Sequence, residues 1–211
     1  SQSLADSLFF ASETTEPEKF TGLAPRYNSL SASNAENIIV GGGAGTDNTS
    51  IWLVVWGPQT CYGIIPKGSK AGLQMNDKGQ VTIENVDGAG GRMEAYRTHY
   101  RMDAGLTLRD WRYVVRIPNI DKSALTADAS SGADLVDLMT QAIERVPSLT
   151  LGRPVFYMSR NTRTFLRRQL VAKVKQSTLT MDMVAGKRVI AFDEIPVKRC
   201  DSLAADEALV S

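Results

Sequence analysis

The chain is poor in the residues that most chemistry needs. Its 211 residues hold one histidine and two cysteines, and aromatic residues make up 7%. With His99 alone, no second imidazole can complete a metal chelate or a histidine-based relay. His99 stands between Thr98 and Tyr100. On an extended strand its same-face neighbours are Arg97 and Arg101, which suits a surface or interface position better than a catalytic one. Cys61 and Cys200 are too far apart in sequence for a metal or redox spacing and read as reduced, partly buried thiols. No apolar run approaches the ~18 residues of a membrane span. The net charge of +1 gives no global electrostatic case for nucleic acid or membrane. The start, SQSLADSLFF, has no basic region or cleavage pattern and does not read as a signal peptide.

What is present is ordinary for a globular protein: 43% hydrophobic and 22% charged residues, enough for a core in one large domain or two small ones. Ser3 to Ala11 predicts a short helix with Leu4, Leu8 and Phe9 on one face. Residues 13–25 predict an irregular segment anchored by Phe20 and Leu23. Ile38 to Val40 is a short β-branched run, and Ile51 to Trp56, apolar on both faces, predicts a buried strand. Turns fill 57–77, a strand follows over Gln80 to Val86, and VDGAGG is a strong turn signal.

The longest consistent pattern is Arg92 to Asp121. Tyr96, Thr98, Tyr100 and Met102 alternate with Arg97, His99 and Arg101. Beyond Gly105, Trp111, Tyr113, Val115 and Ile117 alternate with Asp110, Arg112, Val114 and Arg116. Period-two alternation rich in aromatic and β-branched residues predicts half-buried strands. Here the aromatic face is expected in the core and the arginine face against neighbours. Arg112→Ala and Arg116→Ala are therefore expected to weaken subunit association more than folding.

Past Asp121 the period becomes helical. Ser130 or Ser131 is expected to cap a helix, with Asp134 at its third position if Ser131 caps, carrying Leu135, Leu138, Met139, Ala142 and Val146 and ended by Pro147. Val155 to Met158 predicts a strand. Ser159 or Asn161 would cap a second helix, to Lys175, with Phe165, Leu166, Leu170 and Val174 as its stripe. Lys187 to Phe192 and Ile195 to Cys200 predict a closing strand pair about an Asp193-Glu194 turn, after Gly186. This order argues for α+β rather than a doubly wound sheet.

Three chemical readings were weighed. The glycine-rich stretch 41–47 follows a strand, but Thr46 stands where a dinucleotide fingerprint needs glycine, and no Gly-Lys-Ser/Thr ending makes a P-loop. A surface loop is the simpler expectation, with a nucleotide-binding or hydrolytic enzyme as the alternative function. The carboxylate pairs Asp193-Glu194 and Asp134/Asp137 fit a turn and a solvated helix face. Arg160, Arg163, Arg167, Arg168, Lys173 and Lys175 decorate the second helix without interleaved aromatics for base stacking, which suits a solvated or subunit-facing surface.

Four segments, EPEKFTGLAPRYN, SIWLVVWG…GIIPKGSKAGLQ, YRTHYRMDAGLTLRDWRYVVRIPNID and KRVIAFDEIPVKRCDSLAADEALV, together give a resemblance. The chain resembles the major capsid proteins of tailed double-stranded DNA bacteriophages, which have the Hong Kong 97-type shell fold. The resemblance implies an α+β chain with an axial domain, part of a peripheral domain, a mixed sheet, two amphipathic helices and long loops. Residues 1–12 would end a spine helix whose upstream part, with an arm and extended loop, is missing. About 13–120 would be β-rich peripheral and axial strands and loops, about 121–190 axial helices and strands, and about 191–211 a closing peripheral strand. It further implies self-assembly into hexamers and pentamers of a virion shell made in the host cytoplasm, without active site, cofactor, metal or membrane. Scaffolding and portal proteins would be partners, with packaged DNA touched only non-specifically. Some members crosslink a Lys to an Asn, but neither residue can be placed here. Arg97, Arg101, Arg112, Arg116, Arg163 and Arg167 are the expected subunit-interface residues.

Overall fold

The computed structural model describes residues 2–68, 72–86, 88–173, 181–184, 187–203 and 206–211. The chain divides into two units, Ser1–Tyr62 with Leu106–Ser211, and Gly63–Gly105. In chain order the elements are α1 (Gln2–Phe10), β1 (Asn48–Trp56), β2 (Cys61–Ile64), β3 (Leu73–Glu84), β4 (Arg92–Met102), β5 (Gly105–Leu108), β6 (Val114–Asp121), α2 (Leu135–Arg145), β7 (Arg153–Met158), α3 (Arg160–Lys173), β8 (Met181–Val184), β9 (Lys187–Phe192) and β10 (Ile195–Arg199). Among the described residues, eight strands form one mixed sheet and β3 and β4 a separate ribbon.

The larger unit is organised on β1, which is buried along nearly its whole length. It pairs antiparallel with β6 on one edge and with β7 on the other. Next to β7 runs β10 in parallel, followed by β9 and β8 in antiparallel order. Because successive side chains point to opposite faces, β1 supplies two cores. Ile51, Leu53 and Val55 pack with Val115, Ile117 and Phe156 and with the stripes of α2 (Leu135, Leu138, Met139, Ala142) and α3 (Leu166, Leu170). Trp52 and Val54 pack on the other side with Phe9, Leu23, Tyr27, Ile38 and the tail residues Leu203 and Val210.

The helix stripes and the closing strands fall where the periodicity places them, and Asp193 and Glu194 take the positive φ of a tight hairpin turn. Ser159 caps α3 by accepting from the Thr162 amide at 3.3 Å. The cap of α2 differs from expectation: Asp134, not Ser131, accepts the Asp137 amide. An aspartate at this position also meets the positive end of the helix dipole. Val174, Lys175 and Gly186 lie outside the described residues.

The smaller unit is a two-stranded antiparallel ribbon. Its register runs from Leu73↔Met102 to Glu84↔Arg92, with a bulge in β3 between Asp77 and Gln80. Gly79 forms the bulge at φ +69, and its amide donates to the Asp77 carboxylate at 3.0 Å. No described residue from 63 to 105 is buried.

Candidate subunit-interface surfaces

The stretch Arg92 to Asp121 is not one two-faced strand pair. It divides between the units, and its two halves behave differently. In the ribbon, alternation puts Tyr96, Thr98, Tyr100 and Met102 on one face with the cross-strand partners Met75 and Leu73. The expected burial of this aromatic face is corrected by the structure, which leaves Leu73 and Met75 68% exposed, Tyr96 82%, Tyr100 59% and Met102 43%. A ribbon of two strands has no second layer in its own unit, so alternation separates its faces without covering either. Arg97, His99 and Arg101 occupy the opposite face, all exposed. Arg101 is held to Asp103 at 2.7 Å.

The other half becomes β6, buried on both faces apart from its last residue. Here the expected outward row of arginines fails at Arg116, which is 4% exposed. Its guanidinium donates to the Glu207 carboxylate at 2.8 Å, the Tyr27 carbonyl at 2.7 Å and the Ser50 hydroxyl at 3.2 Å. It also lies over the Trp52 ring at 5.2 Å. Burial disfavours its charge, and the attraction and hydrogen bond of Glu207 oppose that shift. Arg116 therefore joins the N-terminal segment, β1, β6 and the C-terminal tail inside one subunit. It is not available to a neighbouring one. The physical reason is that α2 and α3 cover one face of the sheet at β6 while the N-terminal segment and the C-terminal tail cover the other, so neither of its faces remains open.

Arg112 is exposed, in a short 3₁₀ turn (Trp111–Tyr113), and forks onto Asp110 at 3.0 and 2.7 Å. The bonded guanidinium holds the Asp110 carboxyl below its ordinary range. Arg163 and Arg167 lie on α3. Arg163 is half-buried, and its Nε has no hydrogen-bond partner. Burial and the neighbouring cations Arg167 and Arg199 push its pKa down. Arg160 and Arg199 instead share the Asp201 carboxylate, at 3.1 and 2.8 Å.

The glycine-rich stretch has a structural role that sequence reading missed. From Ile38 the chain runs parallel to β6, beginning at the bridge Ile38↔Arg116. The amides of Ile39, Gly41 and Gly43 donate to the carbonyls of Arg116, Pro118 and Asn119 at 2.9, 2.8 and 2.7 Å. A Cβ on Gly43 would stand 2.7 Å from both the Asn119 oxygen and the Asp121 nitrogen. Glycine is needed here for close backbone approach, and the amides of Gly41 and Gly43 are engaged rather than free to cradle phosphate.

Three buried amide side chains also went unpredicted. Asn37 donates to the carbonyls of Arg112 and Val114 at 2.8 and 3.0 Å. Asn119 bonds Val210 reciprocally, at 2.9 and 3.0 Å. Gln169 accepts the first amide of α2 from Leu135 at 3.0 Å and donates to Ala133 at 3.0 Å. Only the placement of Gln169 beside the apolar stripe of α3 hinted at this.

Among the described residues no three His, Cys, Asp or Glu side chains could hold a metal ion. No described helix is long and apolar enough to cross a membrane. Cys61 is buried and Cys200 partly so, both as free thiols. A hollow of about 560 Å³ beside α3 gathers Asp128, Thr164, Arg167 and Arg168 without a nucleophile–base pair. A second, of about 530 Å³, lies under the tail on Arg116 and Glu207, which already bond each other.

Among the described residues, a mixed sheet is thus covered by helices on one face and by terminal segments on the other, and the ribbon forms a separate unit. A chain of the near-atomic cryo-electron microscopy structure of bacteriophage Epsilon15 is similar over 99% of this chain and 63% of its own length, at 34% identity and a TM-score of 0.63. The fold is thus α+β of the Hong Kong 97 type. The family model described as major capsid protein GP7 matches residues 1–211, and the chain belongs to that family. It spans 63% of the length of the Epsilon15 chain. No curated protein matches it.

Proposed function

We propose that the chain is a structural shell subunit, assembling with copies of itself into hexamers and pentamers of an icosahedral head around double-stranded DNA. The observation that carries this reading is the 34% identity to a chain of the Epsilon15 particle, sustained over 99% of the sequence. The engaged amides of Gly41 and Gly43 argue against the glycine stretch as a phosphate cradle, and nothing among the described residues favours the enzyme alternative.

In this reading the protein resides in the virion after synthesis in the host cytoplasm, with scaffolding and portal proteins as partners and DNA contacted non-specifically on the inner face. The larger unit corresponds to the axial domain with closing strands of the peripheral domain, and α1 to the end of the spine helix. Arg97, Arg101, Arg112, Arg163 and Arg167 remain interface candidates because each reaches the surface at least in part. Arg116 is withdrawn. Electron microscopy of the purified protein tests the proposal. Shells, rings or tubes are expected, and their absence under every assembly condition would overturn it.

A further inference from the structure

The ribbon Gly63–Gly105 carries an unclaimed surface. On the half before the bulge, Leu73, Met75, Tyr100 and Met102 form two directly opposed cross-strand pairs; Tyr96 lies farther along the same face, across the Asp77↔Thr98 pair and opposite Gln80. Beyond the bulge the same face turns polar: the Thr82 hydroxyl donates to Glu94, and Glu84 pairs with Arg92 at 3.2 Å. The opposite face carries Arg97, His99 and Arg101 alongside the apolar group. One face of the ribbon therefore carries a greasy group, interrupted by the Asp77↔Thr98 pair, bordered by charge along the strand and backed by charge.

Soluble chains seldom leave such a patch in water. Taking about 200 Å² for a large side chain, the exposures of these five residues leave roughly 600 Å² of apolar surface. A standard protein–protein interface needs about 800 Å² from each partner. Five residues thus supply most of one partner's share, with the charged border as rim. The β4 edge adds eleven residues without proline, glycine or bulge. By contrast, the β3 edge is broken by its bulge, a usual guard against strand addition.

We propose that the face made by Leu73, Met75, Tyr96, Tyr100 and Met102 is an assembly interface covered by a second copy of this chain. This rests on the shell-subunit reading. A second copy is the occupant because the area matches a protein interface rather than a small ligand, and a member of a shell-forming family meets its own copies at the highest local concentration. The arginine-bearing face of the ribbon points away from this contact. Arg97 and Arg101 are consequently rim or solvent residues with respect to it.

Hydroxyl-radical footprinting of the protein, as free subunits and as assembled particles, tests this directly. Oxidation of Met75, Tyr96, Tyr100 and Met102 is expected to fall at least fivefold on assembly, while Met93, on the opposite face, changes less than twofold. The triple variant Met75→Gln/Tyr96→Gln/Tyr100→Gln is expected to keep its far-ultraviolet circular dichroism and melting temperature and to raise the critical assembly concentration at least tenfold. Full oxidation of the four residues in assembled particles, or wild-type assembly by the triple variant, would overturn the proposal while leaving the shell reading intact. Protection already complete in free subunits would assign the face to the chain's own fold, and protection gained only when another virion protein is added would assign it to that protein. Either result would overturn the second-copy assignment. Failure of the wild type to assemble at all removes the shell reading, and this proposal with it.

Discussion

At the scale of single residues, Arg116 shows how far environment outweighs residue type. Arg112 and Arg116 share a strand face by sequence spacing. Yet Arg112 is in an exposed ion pair, of the kind that solvent screens and that contributes little. Arg116 is in a buried one. Removing one partner of a buried pair leaves the other charge stranded, at a cost of about 3–5 kcal/mol. Arg116→Ala should therefore lower unfolding free energy by that order in urea titration, and Arg112→Ala should leave the urea midpoint nearly unchanged. Equal, small effects would contradict the buried node.

A second residue-scale effect concerns pH. Burial pushes the Cys61 thiol up from near 9 to about 12 and raises the Tyr27 phenol further still. Both groups hold their protons more tightly when folded, so this stability is complete below the unfolded values and is lost as pH rises toward the folded ones. The urea midpoint should fall as pH rises from 9 towards 12, and less steeply in Cys61→Ala. A thiol reagent at pH 8 should label Cys200 and leave Cys61 untouched in the native protein.

At the scale of elements, the run from Ile38 to Gly43 along β6 depends on backbones closer than any Cβ permits. Gly43 has no positive φ to accommodate, so the constraint is purely one of space. Gly43→Ala should cost about 1–3 kcal/mol, as overpacking usually does. Amide hydrogen exchange at Ile39 and Gly41 should accelerate together, because they belong to the same parallel run. A variant as stable as the wild type would show that the run can shift outward without penalty. Elements with strong local signals were legible from sequence: the apolar stripes of α2 and α3, β1 apolar on both faces, and the tight turn at Asp193-Glu194. The glycine stretch was not, because its partner β6 lies some 75 residues further on and close backbone approach leaves only a missing side chain as its mark.

At the scale of the whole molecule, the two units differ in kind. The larger has two cores and a polar node that fastens its tail, whereas no described residue of the smaller is buried. Replacing residues 66–102 by a short Gly-Ser linker should therefore leave the melting temperature within a few degrees of wild type, while association falls below detection in sedimentation velocity. A large loss of melting temperature would mean that the ribbon supports the larger unit.

The sequence by itself determined the class of this protein. Helical and strand periods pointed to α+β, because hydrophobic period is a local property, and the shell fold came from the family resemblance carried by four segments in order. Tertiary structure alone decided which faces are covered. Alternation along Arg92 to Asp121 separates apolar from charged side chains but cannot say whether another layer lies against either set. β6 gained neighbours on both sides and drew Arg116 inside. β4 gained only β3 and left its tyrosines in water. Burial is a property of what packs against a strand, and that partner is chosen by the fold rather than by the strand's own residues.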